Sequence, residues 1–101
     1  MTIITIDTTD SKKAGVSLEI DGLKDEMVME QKVASSQNVL LLIDRLLEEH
    51  EIGVGDIDQI LVNSGPGSFT GIKVGISIAN ALGFALGVPV NGDNLAKPKY
   101  E

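Results

Sequence analysis

A glycine-rich segment is the first feature of this sequence whose residue types could do chemistry. It lies between an apolar run and a long apolar segment, and it consists of Gly65, Pro66, Gly67, Ser68, Phe69, Thr70 and Gly71. Backbone amides of such a loop, placed before a helix, bind phosphate groups. The spacing G-x-G-x-x-x-G differs from the dinucleotide fingerprint, and Lys73 does not directly follow the last glycine as a P-loop requires. We therefore favour a tight structural loop in which Ser68 or Thr70 caps the next helix.

Asp7 is the second candidate, because it ends a short β-rich run. A carboxylate at that position can bind magnesium or orient water. A nuclease would need several carboxylates there, but the end of the fourth predicted strand offers Asn63 and Ser64. We favour a capping role for Asp7 in the turn at 8–13 and keep it as the one candidate nucleotide or metal contact. His50, the only histidine, has no nucleophile placed beside it by any pattern, so no catalytic residue is assigned.

Small residues form two ridges on the segment after the loop. Each interior glycine costs a helix about 1 kcal/mol relative to alanine, so close packing must offset them. The first ridge consists of Gly71, Gly75, Ala79 and Gly83, and the second of Ser77, Ala81 and Ala85. Two ridges let a helix pack closely on two sides, one against its own sheet and one against another helix, of this chain or of a partner. Leu41, among charges on the other predicted helix, and Phe84, beside Lys73 and Asn80, favour a partner.

Composition and charge limit the possible functions. The 101 residues fit one domain, and the formal net charge is −7, with Lys73 the only basic residue between 51 and 92. Binding of nucleic acid by the chain alone is therefore not expected, because it requires clustered positive charge. The chain has no cysteine, and its start has no basic region of a signal peptide, so we expect a cytoplasmic protein. The uncharged run at 74–92 contains glycines and Pro89, which favours a buried helix and strand over a membrane span.

The elements that must position these residues follow from periodicity. Alternation predicts three antiparallel strands at 3–7, 14–20 and 23–33, with an Asp21-Gly22 hairpin turn. A helix begins at Ser35 or Ser36 and runs to about 51, and its predicted buried arc comprises Val39, Leu40, Leu42, Ile43, Leu46 and Leu47. A strand at 59–64, a helix at 70–86 capped by Gly87, and a strand at 88–90 complete the series.

The predicted order β-β-β-α-β-α-β gives a mixed five-stranded sheet with two helices. This α/β arrangement is the ribonuclease H-like plan, which is also the half-domain of actin, Hsp70 and the sugar kinases. The domain is predicted to span 1–92, followed by a polar tail at 93–101.

Three motifs resemble the TsaB (YeaZ) family. They are I-I-T-I-D-T-T at 3–9, Ser36-Gln37 at the start of a leucine-rich helix, and N-S-G-P-G-S-F-T-G-I-K-V-G at 63–75. The resemblance covers nearly the whole chain, but only the amino-terminal domain of a usual family member. Ser35 stands where relatives usually have histidine, and Lys73 where they usually have arginine.

The resemblance implies an actin-like ATPase fold in a non-catalytic subunit of the tRNA threonylcarbamoyladenosine-modification complex. It implies pairing with a TsaD-like transferase through the helices at 36–51 and 70–86, with a TsaE-like ATPase joining. Because two-fold contacts use the same surface twice, the same helices can also form a homodimer when TsaD is absent. ATP or ADP with Mg²⁺ is expected only within the complex, because the second wall of the interdomain cleft is missing. The predicted partner interface comprises Leu41, Arg45, Lys73, Ser77, Asn80, Ala81 and Phe84. The alternative is an independent actin-like ATP-binding or ribonuclease H-like enzyme that uses Asp7 and the loop at 65–71.

Overall fold

The computed structural model describes residues 1–93. Of the predicted tail, only Asp93 is among them, and 94–101 lie outside the described residues. The strands are β1 (Thr2–Asp7), β2 (Lys13–Ile20), β3 (Leu23–Glu30) and β4 (Gln59–Val62). The helices are α1 (Ser36–Glu49) and α2 (Phe69–Leu86), and a 3₁₀ turn covers Val54–Asp56.

The strands form one mixed sheet in the order β3-β2-β1-β4. β1 pairs antiparallel with β2 and parallel with β4, and β2 pairs antiparallel with β3. Asp21 and Gly22 adopt φ values of 49° and 88°, which confirms the predicted hairpin turn. β3 ends at Glu30 rather than at 33, and Val33 is exposed. Alternation alone could not place this end, because Val33 continues the apolar period after the hydrogen-bonded ladder has stopped.

Both helices cover the same face of the sheet. Ile4 and Ile6 of β1 are fully buried on this face, opposite Leu18 and Val16 of β2. α1 packs on β2 and β3, and α2 packs on β1 and β4. Among residues 1–93, no helix lies on the other face of the sheet. The described fold is therefore a two-layer α/β domain of the predicted class.

The first helix confirms the predicted apolar arc except at its rim. Val39, Leu42, Ile43, Leu46 and Leu47 are buried, but Leu40 is 46% exposed, so its predicted burial was wrong. Leu40 lies about 100° from Val39 around the helix axis, at the edge of the arc where the sheet no longer reaches. The amino-terminal cap is Ser35, without a hydrogen bond from its side chain.

The predicted fifth strand is not present in the described residues. Val90 makes a single parallel bridge to Ile60, in which the Ile60 amide donates to the Pro89 carbonyl (3.0 Å) and the Asn91 amide donates to the Ile60 carbonyl (2.9 Å). Asn91 and Gly92 then adopt positive φ, and the chain reverses so that Asp93 pairs with Val90. The Asn-Gly pair therefore stops the strand after one bridge, and the sheet has four strands instead of five.

The side chain of Asn91 makes hydrogen bonds to β4 where a fifth strand would pair. Its Oδ1 accepts from the Val62 amide at 2.8 Å, and its Nδ2 donates to the Val62 carbonyl at 3.0 Å. These are the two bonds that a neighbouring strand would make to Val62. A side-chain amide thus satisfies the outer edge of β4.

The glycines of the first ridge allow α2 to lie directly on the sheet. A Cβ at Gly71 would overlap the Thr8 carbonyl oxygen, and one at Gly75 would overlap the Thr8 hydroxyl. Gly83 packs in the same way against Val90. The first ridge therefore faces the sheet, and the close approach offsets the cost of the glycines in helix propensity.

We predict that Gly71→Ala destabilises the fold by more than 1 kcal/mol, although alanine is the better helix former. The added methyl meets backbone at Thr8, which cannot rotate away, so the helix must shift. Gly55→Ala is the matched control, because a Cβ there meets nothing within 4 Å, and we expect an effect of less than about 1 kcal/mol. Urea unfolding measures both, and equal stabilities would contradict the role assigned to the ridge.

Candidate functional site

The side of α2 that points away from the sheet is the main candidate for a binding surface. We call it the outer face of α2 and define it by Lys73, Ser77, Asn80, Ala81 and Phe84. These positions fall within an arc of about 100° on a helix with 3.6 residues per turn. Ser77, Ala81 and Phe84 are exposed, and Phe84 is 89% exposed. The structure thereby decides between the two ridges, since the second ridge is the one that faces solvent.

Charge on the outer face is confined to its amino-terminal end. The Lys73 ammonium lies 5.2 Å from the centre of the Phe69 ring, an arrangement in which the ring attracts the cation. From Val74 to the end of the helix, α2 has no charged residue. A partner helix can therefore approach this surface without removing water from a buried charge, which would be costly.

The two predicted interface residues of α1 are also exposed. Leu41 is 40% exposed, and Arg45 lies one turn farther along the same side of the helix. Because both helices cover the same face of the sheet, Leu41 and Phe84 lie on the same side of the molecule. The structure brings all seven predicted interface residues to this side.

By length and composition, Phe69–Leu86 also passes as a candidate membrane-crossing helix. Such evidence is weak for one helix, and the contacts of Gly71 and Gly75 with Thr8 place this helix against its own sheet. We therefore interpret its apolar character as one buried face and one face available to a partner.

Asp7 caps the turn that follows β1, as predicted. Its Oδ1 accepts from the Thr9 amide (3.0 Å) and the Thr9 hydroxyl (2.7 Å), and its Oδ2 accepts from Asn63 Nδ2 (3.2 Å). Burial raises the pKa of Asp7, but these hydrogen bonds to the carboxylate outweigh it and leave the pKa below its ordinary value. The carboxylate is therefore kept ionised and joins the ends of β1 and β4.

The glycine-rich loop uses several of its amides internally. The Gly65 amide donates to Asn63 Oδ1 (3.2 Å), the Ser68 amide donates to the Thr9 carbonyl (2.7 Å), and the Gly71 amide donates to the Ser68 hydroxyl (3.2 Å). The last bond confirms Ser68 as the helix cap. The Gly65-Pro66 peptide bond is cis. Three of the amides that a phosphate would need already have partners, which favours the structural role of the loop.

Thr8 is the contact that sequence analysis missed. Its side chain is 1% exposed, and its hydroxyl donates to the Gly71 carbonyl at 2.5 Å. The type of residue gave little signal, because threonine in a polar turn is ordinarily exposed. The sequence signal for this buried contact is limited to the two threonines directly after Asp7 and the glycine ridge farther along the chain.

A small cleft opens at Asp7 on the helix-free face of the sheet. Its volume is about 190 Å³, and it is lined by Asp7, Thr9, Asp10, Lys13, Gly15, Glu26 and Val28. Sequence analysis could not assemble it, because four of its seven lining residues lie on β2 and β3 and depend on the register of these strands. Within the described residues, no group of three or more acidic or histidine side chains is arranged to hold a metal ion.

His50 lies far from the cleft in the chain and packs at another place. Its Nε2 is 3.0 Å from Asp25 Oδ2, so the end of α1 is tied to β3. The His50 side chain therefore makes a contact between two elements of the fold.

Comparisons with known proteins agree with these features. The family model described as "TsaD: tRNA N6-adenosine threonylcarbamoyltransferase" matches residues 25–94. The chain is 30% identical over 91 residues to the tRNA threonylcarbamoyladenosine biosynthesis protein TsaB of Bacillus subtilis, covering 90% of this chain and 40% of that protein. The TsaB protein of Haemophilus influenzae is 31% identical over 90 residues, which cover 89% of this chain and 38% of that protein.

A solved structure gives the same result for the fold. YeaZ from Pseudomonas aeruginosa superposes with a TM-score of 0.82 at 29% identity, over 88% of this chain and 41% of that one. The chain thus spans about two fifths of the length of the relatives it matches.

We predict that Asp7→Asn lowers the free energy of unfolding at pH 7 by about 1 kcal/mol, because the amide can no longer accept from both Thr9 and Asn63. Since the pKa of Asp7 is lowered in the folded chain, this contribution is present above about pH 4 and is lost as the pH falls through the folded value. The difference between wild type and variant should therefore shrink in acid. Urea unfolding from pH 7 to about pH 2 checks it, with the exposed Asp44→Asn as control; a difference that stays constant across this range would contradict the role of the ionised carboxylate.

Proposed function

Because the chain belongs to the family of the tRNA N6-adenosine threonylcarbamoyltransferase TsaD and of its relative TsaB, we propose that it is a non-catalytic, TsaB-type subunit of tRNA threonylcarbamoyladenosine biosynthesis. In this proposal it docks a TsaD-like transferase through α1 and the outer face of α2, in the cytoplasm. A TsaE-like ATPase joins the same assembly, and a homodimer forms through the same helices when the transferase is absent.

The observation that carries the proposal is the outer face of α2. Phe84 is 89% exposed and lies next to small residues on a helix that is uncharged beyond Lys73. Aromatic anchors surrounded by small residues are typical of the centre of a protein–protein interface, where they fill a pocket of the partner. The small side chains of Ser77 and Ala81 let another helix come close enough to enclose the ring.

The geometry at Asp7 supports a non-catalytic role. The carboxylate is held by Thr9 and Asn63, and loop amides of Gly65, Ser68 and Gly71 have partners within the chain. A site for chemistry would need such groups to be available to a substrate. We infer that any ATP or ADP with Mg²⁺ binds only in the complex, where a second wall closes the cleft.

The net charge of −7 supports an arrangement in which the partner subunit, and not this chain, binds the tRNA. An acidic surface repels the tRNA phosphates, so the subunit that holds the tRNA must be the partner. The proposal therefore requires contact with a protein and not with RNA.

We predict that Phe84→Asp weakens binding of a TsaD-like partner at least about tenfold, because the variant removes the anchor and buries a charge in its place. Ala81→Asp should act in the same direction. Val54→Asp is the matched control, since Val54 is another exposed apolar residue but belongs to the 3₁₀ turn and to neither helix of the proposed interface. Calorimetric titration with the cognate transferase measures the dissociation constants, and thermal unfolding shows that each variant is folded.

Two results would overturn the docking proposal. One is a folded wild-type chain that shows no binding to the transferase. The other is a set of variants in which Phe84→Asp and Val54→Asp bind equally well, because a contact elsewhere would then hold the complex.

The cleft at Asp7 favours one alternative, an independent actin-like ATP-binding or ribonuclease H-like enzyme. Asp7, Asp10 and Glu26 line it together with Lys13, whose ammonium could pair with a nucleotide phosphate, although no three acidic side chains of the described residues are arranged to hold a metal ion. On our proposal, calorimetry of the chain alone with ATP and Mg²⁺ should show no saturable binding, and a hydrolysis assay no turnover. Turnover that is lost in Asp7→Asn would establish the alternative.

A further inference from the structure

Among residues 1–93, no strand pairs with the outer side of β3, which is therefore an open edge of the described sheet. The strand order gives it one hydrogen-bonded neighbour, β2, whereas β4 at the other edge is satisfied by Asn91 and the bridge at Val90. An open edge presents a row of unpaired amides and carbonyls to any strand that fits. The question is which strand the side chains of β3 would accept.

The outward groups of β3 belong to its even-numbered residues. The two-residue turn makes Ile20 and Leu23 partners, so odd-numbered residues direct their backbone groups to β2. The Gln31 amide, which donates to the Lys12 carbonyl at 2.9 Å, has the same parity. The outward positions are therefore Lys24, Glu26, Val28 and Glu30, all four exposed on the helix-free face.

We propose that β3 pairs antiparallel with β3 of a second copy of this chain, in the register that centres Met27 on its own equivalent. In this register Lys24 lies opposite Glu30 of the second copy, and Glu26 lies opposite Val28. The two-fold axis repeats both pairs, so all four outward positions are used. The result is one continuous eight-stranded sheet built from two four-stranded ones.

Charge selects this register. Within one chain Glu19 lies opposite Lys24, and Lys13 lies opposite Glu30. Pairing through Met27 extends each of these rows across the axis as Glu19, Lys24, Glu30 and Lys13, with alternating sign over four strands. Opposite charges on facing residues stabilise a sheet, and like charges destabilise it.

The neighbouring registers lack this match. A shift that centres Glu26 on its equivalent places two carboxylates face to face, and a shift that centres Val28 places Glu26 opposite Glu30 twice. A larger shift that centres Asp25 also opposes like charges and leaves Glu30 beyond the hairpin turn. In the remaining registers, the numbers of two facing residues add up to an odd number. Outward backbone groups of one strand then lie opposite inward groups of the other, and they cannot pair.

Charged residues on an edge ordinarily prevent pairing with other strands. On β3 these charged residues disfavour pairing with any strand whose charges are not in the complementary order. An antiparallel copy of β3 has the complementary order. The outer face of α2 stays free in this dimer, because α2 lies over β1 and β4 at the opposite end of the sheet. The pairing is therefore compatible with the docking of a transferase and does not depend on it.

Cysteine cross-linking tests the register, because the chain has no cysteine of its own. In the proposed dimer the Met27 Cα atoms lie about 4.5 Å apart, as in any facing pair without mutual hydrogen bonds, and this suits a disulfide. Met27→Cys should therefore form a covalent dimer on mild oxidation. Glu26→Cys and Val28→Cys report the two neighbouring registers and should cross-link much more slowly, since each pair would be diagonal neighbours about 7–8 Å apart.

Charge reversal gives an independent test. Lys24→Glu should raise the dissociation constant of the dimer about tenfold, because two attractions become repulsions, and Lys24→Glu combined with Glu30→Lys should restore dimerisation. Lys12→Glu, outside the strand, makes the same change in net charge and is the control. Sedimentation equilibrium measures all four proteins, each also carrying Phe84→Asp so that a homodimer through the helices does not contribute, and thermal unfolding verifies their folding.

The results decide in either direction. Fast cross-linking at Met27 together with rescue by the double reversal supports the pairing. A wild-type chain that stays monomeric throughout the concentration series, equal cross-linking at the three cysteine positions, or a dimer insensitive to Lys24→Glu overturns it.

Discussion

The close approach of α2 to the end of β1 is the constraint on which the rest of the structure depends. Thr8 is buried there with its hydroxyl bonded to the Gly71 carbonyl, and its own oxygen atoms occupy the space that side chains at Gly71 and Gly75 would need. Only glycine, which has no Cβ, allows the helix to lie so close to Thr8 at these two positions. The orientation of α2 is thereby fixed, and with it the set of residues that the helix presents to solvent.

This constraint explains why a motif that resembles a phosphate-binding loop serves the architecture. The loop at 65–71 must join β4 to a helix that lies directly on β1, and its amides are bonded to Asn63, Thr9 and Ser68 on the way. Asp7 secures the same junction from the β1 side. The glycines and the acid that could do chemistry in another setting are thus used to hold the inner side of α2, and the outer side is left for recognition.

The sequence predicts most of this fold because its local signals agree with the packing. The Asp21-Gly22 turn, the Ser68 and Gly87 caps and the buried arc of α1 all follow from local patterns. The errors occur where a boundary is set by a neighbour. Leu40 lies at the rim of the apolar arc of α1, and how much of this arc is buried depends on the extent of the sheet. The predicted strand at 88–90 is reduced to one bridge, from Val90 to Ile60, because the chain turns directly after it. The buried role of Thr8 and the walls of the cleft needed the register of three strands, which no local pattern contains.

The Asn91 amide has a consequence for how far this sheet can grow. A protein with two open edges can add copies at both ends, and such head-to-tail addition has no natural limit, as in fibrils. Here the Val62 amide and carbonyl are already hydrogen-bonded to a side chain of the same molecule. A strand of another molecule could pair with the β4 edge only if these two hydrogen bonds were broken. In the proposed pairing, association through the sheet would therefore use only the β3 edge and would be complete once two molecules have paired.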